Sequence, residues 1–158
     1  MEDLLPIKTE RLTIRKITLD DVDLLLKMDK QEETQRFLGG VKNKTREERI
    51  EFLKNKKNSL AVCLGDIPIG FAGVKIKDNT GELGYIFDYD YWNNGYCTEA
   101  CKKLIEIAFD KYKIDKIIAD TVKGNERSER VLKRLGFKRI GEHGDFYDYE
   151  LLNDKKHN

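Results

Sequence analysis

Ten consecutive residues, Tyr91-Trp92-Asn93-Asn94-Gly95-Tyr96-Cys97-Thr98-Glu99-Ala100, have the make-up of a loop that can hold an anion where a helix begins. A strand-like run, Glu82 to Phe87, precedes them, and apolar residues at helical spacing follow: Cys101, Leu104, Ile105, Ala108, Phe109 and Tyr112. The first N–H groups of a helix lack intrahelical partners and lie at the positive end of its dipole, so a phosphate is stabilised there. Gly95 has no Cβ, which lets a ligand approach the backbone and permits positive φ. Asn93 and Asn94 also tolerate left-handed backbone. The same pattern suits an ordinary connecting loop, so its chemistry has to be judged together with the second half of the chain.

That half holds a second patterned segment, Asn125-Glu126-Arg127-Ser128-Glu129-Arg130-Val131-Leu132-Lys133-Arg134-Leu135-Gly136-Phe137. Asn125 is a good N-cap, Glu126 and Glu129 fall in the first turn, Lys133 and Arg134 in the last, and Gly136 follows as a helix stop. The run Gly95 to Ala100 resembles the G-Y-A-T-E-A signature of the GNAT superfamily of acyl-CoA N-acyltransferases. The run Asn125 to Phe137 resembles N-x-x-S-x-x-V-L-x-x-L-G-F of its branch of ribosomal-protein N-acetyltransferase-like enzymes. The opening Thr9-Glu10-Arg11-Leu12-Thr13-Ile14-Arg15 resembles that branch's first strand. The resemblance runs from about Thr9 to Leu152, with the three motifs in the family's order.

The resemblance implies acetyl-CoA as co-substrate, no metal, and a primary amine as acceptor, either a small molecule or a protein N-terminus. It places the pyrophosphate on backbone amides of Asn94, Gly95, Tyr96, Cys97 and Thr98. The usual pattern begins with Gln or Arg three residues before Gly95, where this chain has Trp92; its frequent Gly is Asn93, and Cys97 stands for a Gly or Ala. Direct attack of an amine on a thioester needs a base for the amine proton, donors for the oxyanion and an acid for the leaving thiolate. The resemblance suggests a backbone N–H near Ile86 or Phe87 as oxyanion donor, and Ser128 beside the CoA sulfur as acid, since the Tyr that many members carry seven residues after Asn125 is Leu132 here. Asn125 could bond the pantetheine arm, or act only as a cap. Glu82 is the candidate base; an exposed strand carboxylate fits it equally. Asp88 and Asp90 could attract a cationic acceptor, and Tyr147 and Asp148 could line its end of the site. His143 reads as a solvated turn residue. A catalytically silent acyl-CoA-binding sensor or assembly module is the alternative from another class.

The elements that must position these residues follow from periodicity. The expected order is β-α-α-β-β-β-α-β-α-β-β. Thr18 to Asp21 and Thr45 to Glu48 read as helix starts with an acid three residues after the cap, the second helix burying Ile50, Phe52 and Leu53. Pro68 points to an edge or bulge at the start of its strand, and the tail from Asn153 reads as frayed. A strand–helix–strand crossover makes the fourth and fifth predicted strands parallel. The expectation is an α/β single domain over residues 1–158. The resemblance gives it the GNAT fold: a mixed, mostly antiparallel seven-stranded sheet with about four helices, its parallel fourth and fifth strands splayed to hold acyl-CoA.

Composition narrows the alternatives. Net charge is +1, although 37% of residues are charged. A near-neutral balance gives no electrostatic footprint for nucleic acid. No apolar run reaches the roughly 20 residues that span a bilayer, and the acidic start lacks the features of a signal peptide. Three cysteines in no ligand-like pattern read as reduced, small apolar residues of a cytoplasmic protein. Homodimers are common in the family, but no sequence feature selects one here.

Overall fold

The alternating burial of Leu12 and Ile14 against partly exposed Thr13 and Arg15 is the pattern of a strand with one face on a core. In the computed structural model, which describes residues 1–157, eight strands form one sheet. They are β1 (Ile7–Lys8), β2 (Leu12–Arg15), β3 (Leu60–Leu64), β4 (Ile67–Lys77), β5 (Thr80–Phe87), β6 (Lys116–Val122), β7 (Lys138–His143) and β8 (Phe146–Leu152), in the spatial order β1-β2-β3-β4-β5-β6-β8-β7. The helices are α1 (Val22–Asp29), α2 (Glu32–Gln35), α3 (Arg46–Asn55), α4 (Tyr96–Asp110), α5 (Glu126–Arg134) and α6 (Asp154–His157). The architecture is the expected mixed α/β sheet with one parallel pair, β5 and β6, joined through α4.

Eight strands replace the expected seven because Ile7 and Lys8 pair with Ile14 and Thr13. Six helices replace about four because α2 and α6 each take only four residues. Segments this short cannot show a helical or strand period. Up to residue 157 the tail is not frayed: buried Asn153 donates its Nδ2 to the Ile114 carbonyl at 2.9 Å and leads into α6, while Asn158 lies outside the described residues.

The chain divides into two compact units, one of Met1–Ala72 with Tyr85–Ala100, the other of Gly73–Gly84 with the chain from Cys101 on. In the first unit, Val22, Leu24, Leu25 and Met28 of α1 pack with Leu53, Ala61 and Phe71. Phe52, expected inside, is 42% exposed. Its place is taken by Arg49, whose Nε donates to buried Asp29 at 2.7 Å while the guanidinium lies 5.1 Å from the Phe52 ring. The register slips between Val62 and Cys63, where Cys63 faces Pro68, so the Pro68 bulge is present. Capping boxes occur at both expected threonines, Thr18 with Asp21 and Thr45 with Glu48.

In the second unit, β6 pairs along its whole length with β8, from Lys116 opposite Leu152 to Val122 opposite Phe146. Its parallel ladder with β5 joins three residue pairs: Thr80 with Lys116, Gly81 with Ile117, and Glu82 with Ile118. Gly81 is required by packing, since a Cβ there would lie 2.7 Å from Val74 Cγ1 and 2.9 Å from Ile114 Cδ1.

Candidate functional site

In the first unit, β5 ends at Phe87 and the chain turns at Asp88. The Asp88 carboxylate accepts from the Asp90 N–H at 3.0 Å, Lys27 Nζ at 2.7 Å and Gln31 Nε2 at 2.7 Å. Gln31 returns its Oε1 to the Tyr89 N–H at 3.0 Å. Burial pushes the Asp88 carboxyl up, but these donors outweigh it and hold the group below the usual carboxylate range. Asp88 is therefore not the acceptor-attracting acid expected from sequence: it is 1% exposed and engaged on both oxygens. Asp90 is exposed and shares Lys27 at 2.8 Å.

The loop then follows its own side chains. Trp92 Nε1 donates to the Phe87 carbonyl at 2.8 Å, and the Tyr89 and Trp92 rings meet edge to face. Asn94 Nδ2 donates to the carbonyls of Tyr91 and Trp92. Asn93 adopts φ 63° and Gly95 φ 78°, so the left-handed conformation expected of this loop falls at Asn93 and Gly95. The first helical bond of α4 runs from the Glu99 N–H to the Gly95 carbonyl at 3.0 Å. This makes Tyr96, Cys97 and Thr98 the residues whose N–H groups lack intrahelical acceptors.

Glu99 fastens that helix start to the opening motif. It accepts from Thr9 Oγ1 at 2.5 Å, the Arg11 N–H at 2.9 Å and Arg11 Nε at 2.7 Å. Desolvation raises the Glu99 carboxyl, and the Thr9 and Arg11 donors bring it below its ordinary value. Arg11 continues to the Asn94 carbonyl, donating from NH1 at 2.9 Å, and lies 4.5 Å from the centre of the Tyr96 ring. The first motif and the loop motif are thus in direct contact, which their separation in sequence did not reveal.

In the second unit, Glu82 is exposed on β5. Asn125 caps α5, its side chain accepting from the Ser128 N–H at 3.3 Å. Ser128 is 8% exposed, and Leu132, in the place of the family's Tyr, is 0% exposed. Gly136 has φ 95° and ends the helix as expected.

The same unit holds a grouping that sequence reading missed. His143 lies on β7, outside the turn assigned to it, with Nδ1 2.9 Å from Asp148 and Nε2 3.9 Å from Asp120. Asp148 is thereby engaged by His143, and the Tyr147 ring lies 3.7 Å from the Arg139 guanidinium. The hydrogen bond to Asp148, with Asp120 adding its charge, raises the His143 pKa above the imidazole norm. Only strand register could have shown this, since Asp120 faces Asp148 across β6 and β8. Asp120, His143 and Asp148 are the one group of metal-capable side chains among the described residues. All three cysteines are free and buried. No helix of the described residues is long and apolar enough to cross a membrane.

The structure brings Ile86, Phe87 and Asn94 to Thr98 together as strand end, loop and helix start within the first unit. It places Asn125 and Ser128 together at the start of α5, and Glu82 on β5, within the second. Comparison with known proteins adds to this geometry. Residues 11–138 match the family described as acetyltransferase (GNAT) domain. An uncharacterized N-acetyltransferase of Bacillus subtilis strain 168, YoaA, is 24% identical over 150 residues, covering 85% of this chain and 84% of the relative. The solved structure of a GNAT-family acetyltransferase from Bacillus anthracis superposes with a TM-score of 0.83 at 28% identity, over 94% of this chain and 98% of that one. The ribosomal-protein-S5-alanine acetyltransferase of Vibrio fischeri shares the fold, with a TM-score of 0.68 at 20% identity over 94% of this chain and 96% of that one.

Proposed function

The chain belongs to the acetyltransferase (GNAT) domain family, and from that premise we propose that it moves an acetyl group from acetyl-CoA to a primary amine. The observation that carries this reading is the loop from Asn93 to Thr98, with two left-handed residues leading into the start of a fifteen-residue helix. That arrangement suits a pyrophosphate, which backbone N–H groups of Asn94, Gly95, Tyr96, Cys97 and Thr98 would hold. The whole chain, residues 1–158, would act as one N-acetyltransferase domain.

The amine nitrogen forms its bond to the thioester carbonyl carbon, the C–S bond breaks, and the sulfur leaves with its electron pair. The proton lost by the amine goes to Glu82, directly or through water; the Ser128 hydroxyl gives its proton to the thiolate and regains one from solvent, to which Glu82 releases the proton it took. A β5 backbone N–H at Ile86 or Phe87 stabilises the oxyanion. Phe87 can contribute only through its backbone, because a phenyl ring carries no hydrogen-bond donor. Asn125 would bond the pantetheine arm through whatever capacity its cap bond leaves. Beyond Glu82 and Ile118 the β5–β6 ladder stops, which suits an amide-rich arm adding as a strand would.

The acceptor class is a primary amine, either a small molecule or a protein N-terminus. One fold relative carries the name ribosomal-protein-S5-alanine acetyltransferase, which is in keeping with a protein acceptor. Buried, reduced cysteines support a cytoplasmic setting. A second reading, a silent acyl-CoA sensor, is favoured by Leu132, a buried side chain with no proton to give where many family members carry the Tyr acid. Free-thiol release from acetyl-CoA against a panel of amines and N-terminal peptides separates the two. Release above the hydrolysis background supports the enzyme; acetyl-CoA binding with no release on any acceptor supports the sensor. In the enzyme, Ser128→Ala should lower kcat more than it weakens acetyl-CoA binding. A loss confined to affinity would remove the acid role.

A further inference from the structure

The anion-binding loop contains no cation of its own from Tyr91 to Ala100. Trp92, in the place where the family's pattern has Gln or Arg, turns its indole N–H to the Phe87 carbonyl. The structure supplies a cation from elsewhere in the same unit. Arg11 NH1 donates to the Asn94 carbonyl at 2.9 Å, a Cβ at Gly95 would lie 3.4 Å from Arg11 NH2, and the Arg11 Cζ is 4.5 Å from the Tyr96 ring centre. The guanidinium therefore lies along Asn94, Gly95 and Tyr96.

Its orientation is fixed from behind. Glu99 accepts from Arg11 Nε and from the Arg11 backbone N–H, while Thr9 holds the same carboxylate. An arginine has five N–H donors in a rigid fork. Arg11 uses Nε toward Glu99 and NH1 toward Asn94, and the side chain remains 42% exposed with NH2 on the Gly95 side. Pairing with Arg11 also offsets the charge of Glu99, which in the first turn of α4 would otherwise repel a phosphate.

We propose that Arg11 is a phosphate-binding residue of the acyl-CoA site, supplying from the connection between β1 and β2 the cation that the loop lacks, with Thr9 and Glu99 as positioning residues. The inference rests on the acyl-CoA reading above, and the test separates the two. Kd is measured for CoA by calorimetry, and for pantetheine, the same arm without nucleotide and pyrophosphate, by chemical-shift titration. Proteins compared are wild type, Arg11→Ala, and Arg11→Gln, which keeps N–H donors but not the charge. Both variants should bind CoA roughly tenfold or more weakly, the scale of one lost charge-assisted bond, with pantetheine binding unchanged. Equal CoA affinity in all three proteins, restoration by Arg11→Gln, or parallel loss of both ligands would overturn the role of Arg11 alone. Wild-type protein that binds no CoA would overturn the acyl-CoA reading together with it.

Discussion

Two helix starts carry the candidate chemistry, and they are built in opposite ways. The cap of α5 is local: Asn125 accepts from the Ser128 N–H three residues on, and the Glu126 N–H reaches the Gly124 carbonyl at 2.9 Å. The start of α4, with the loop before it, is held from far along the chain. Lys27 and Gln31 secure Asp88, and Thr9 and Arg11 secure Glu99. A local cap needs only its few neighbouring residues, whereas the α4 loop is held by contacts with the N-terminal segment. The contrast suggests that changes at the two places differ in size and in reach.

The largest effect is expected at Asp88. Asp88→Ala leaves Lys27, Gln31 and the Asp90 N–H without their shared acceptor and should cost about 2–3 kcal/mol in urea unfolding. A cost no greater than that of a cap would erase the distinction between the two starts. The sign with pH also follows. The Asp88 pKa is lowered on folding, so its contribution is present above the unfolded carboxylate range near about 4 and is lost as pH falls through the lower folded value. The stability gap between wild type and Asp88→Ala should therefore narrow on acidification.

Glu99→Ala should cost about 1–2 kcal/mol, because three donors lose one largely buried carboxylate. It should also loosen Thr9 and Arg11, read as faster amide exchange near β2. Asn125→Ala should cost about 1 kcal/mol, with Asn125→Asp close to neutral, and the effect should stay within α5. Exchange changes around Asp88 in the Asn125 variant would contradict the local reading.

The smallest effect is expected at His143, whose ion pairs lie on an exposed sheet surface. Its folded pKa is raised, so its stabilisation is complete below about pH 6.5, the unfolded imidazole value, and disappears as pH rises through the folded value. His143→Ala and wild type should thus converge in stability on the alkaline side, and a gap that widens with pH would contradict the pairing with Asp120 and Asp148.

What could be read from sequence divides along the same line. Asn125, Gly136 and the boxes at Thr18 and Thr45 announce themselves because donor and acceptor are three or four residues apart. The pattern of alternation gave the strands and the parallel crossover, but not the two-residue β1 or the four-residue helices, which are shorter than one period. The fate of Asp88 was hidden, since an acid after a strand looks the same whether it faces solvent or Lys27. Phe52 was misassigned because Arg49 can bury its stem while its charge pairs with Asp29, an exchange that apolar periodicity does not register. The loop motif was legible; the Arg11–Glu99 clamp that shapes it was not.

The measurement that bears most directly on the account is a calorimetric titration of acetyl-CoA into wild type and Gly95→Val, with urea unfolding to confirm that the variant is folded. At φ 78° a β-branched residue is strained and its Cβ faces the Arg11 guanidinium, so the loop cannot keep its shape. The account predicts binding by wild type and loss of at least about tenfold in the folded variant, on the scale of that backbone strain. Equal affinity in the two proteins would place the pyrophosphate elsewhere, and the loop would return to being a connection between β5 and α4.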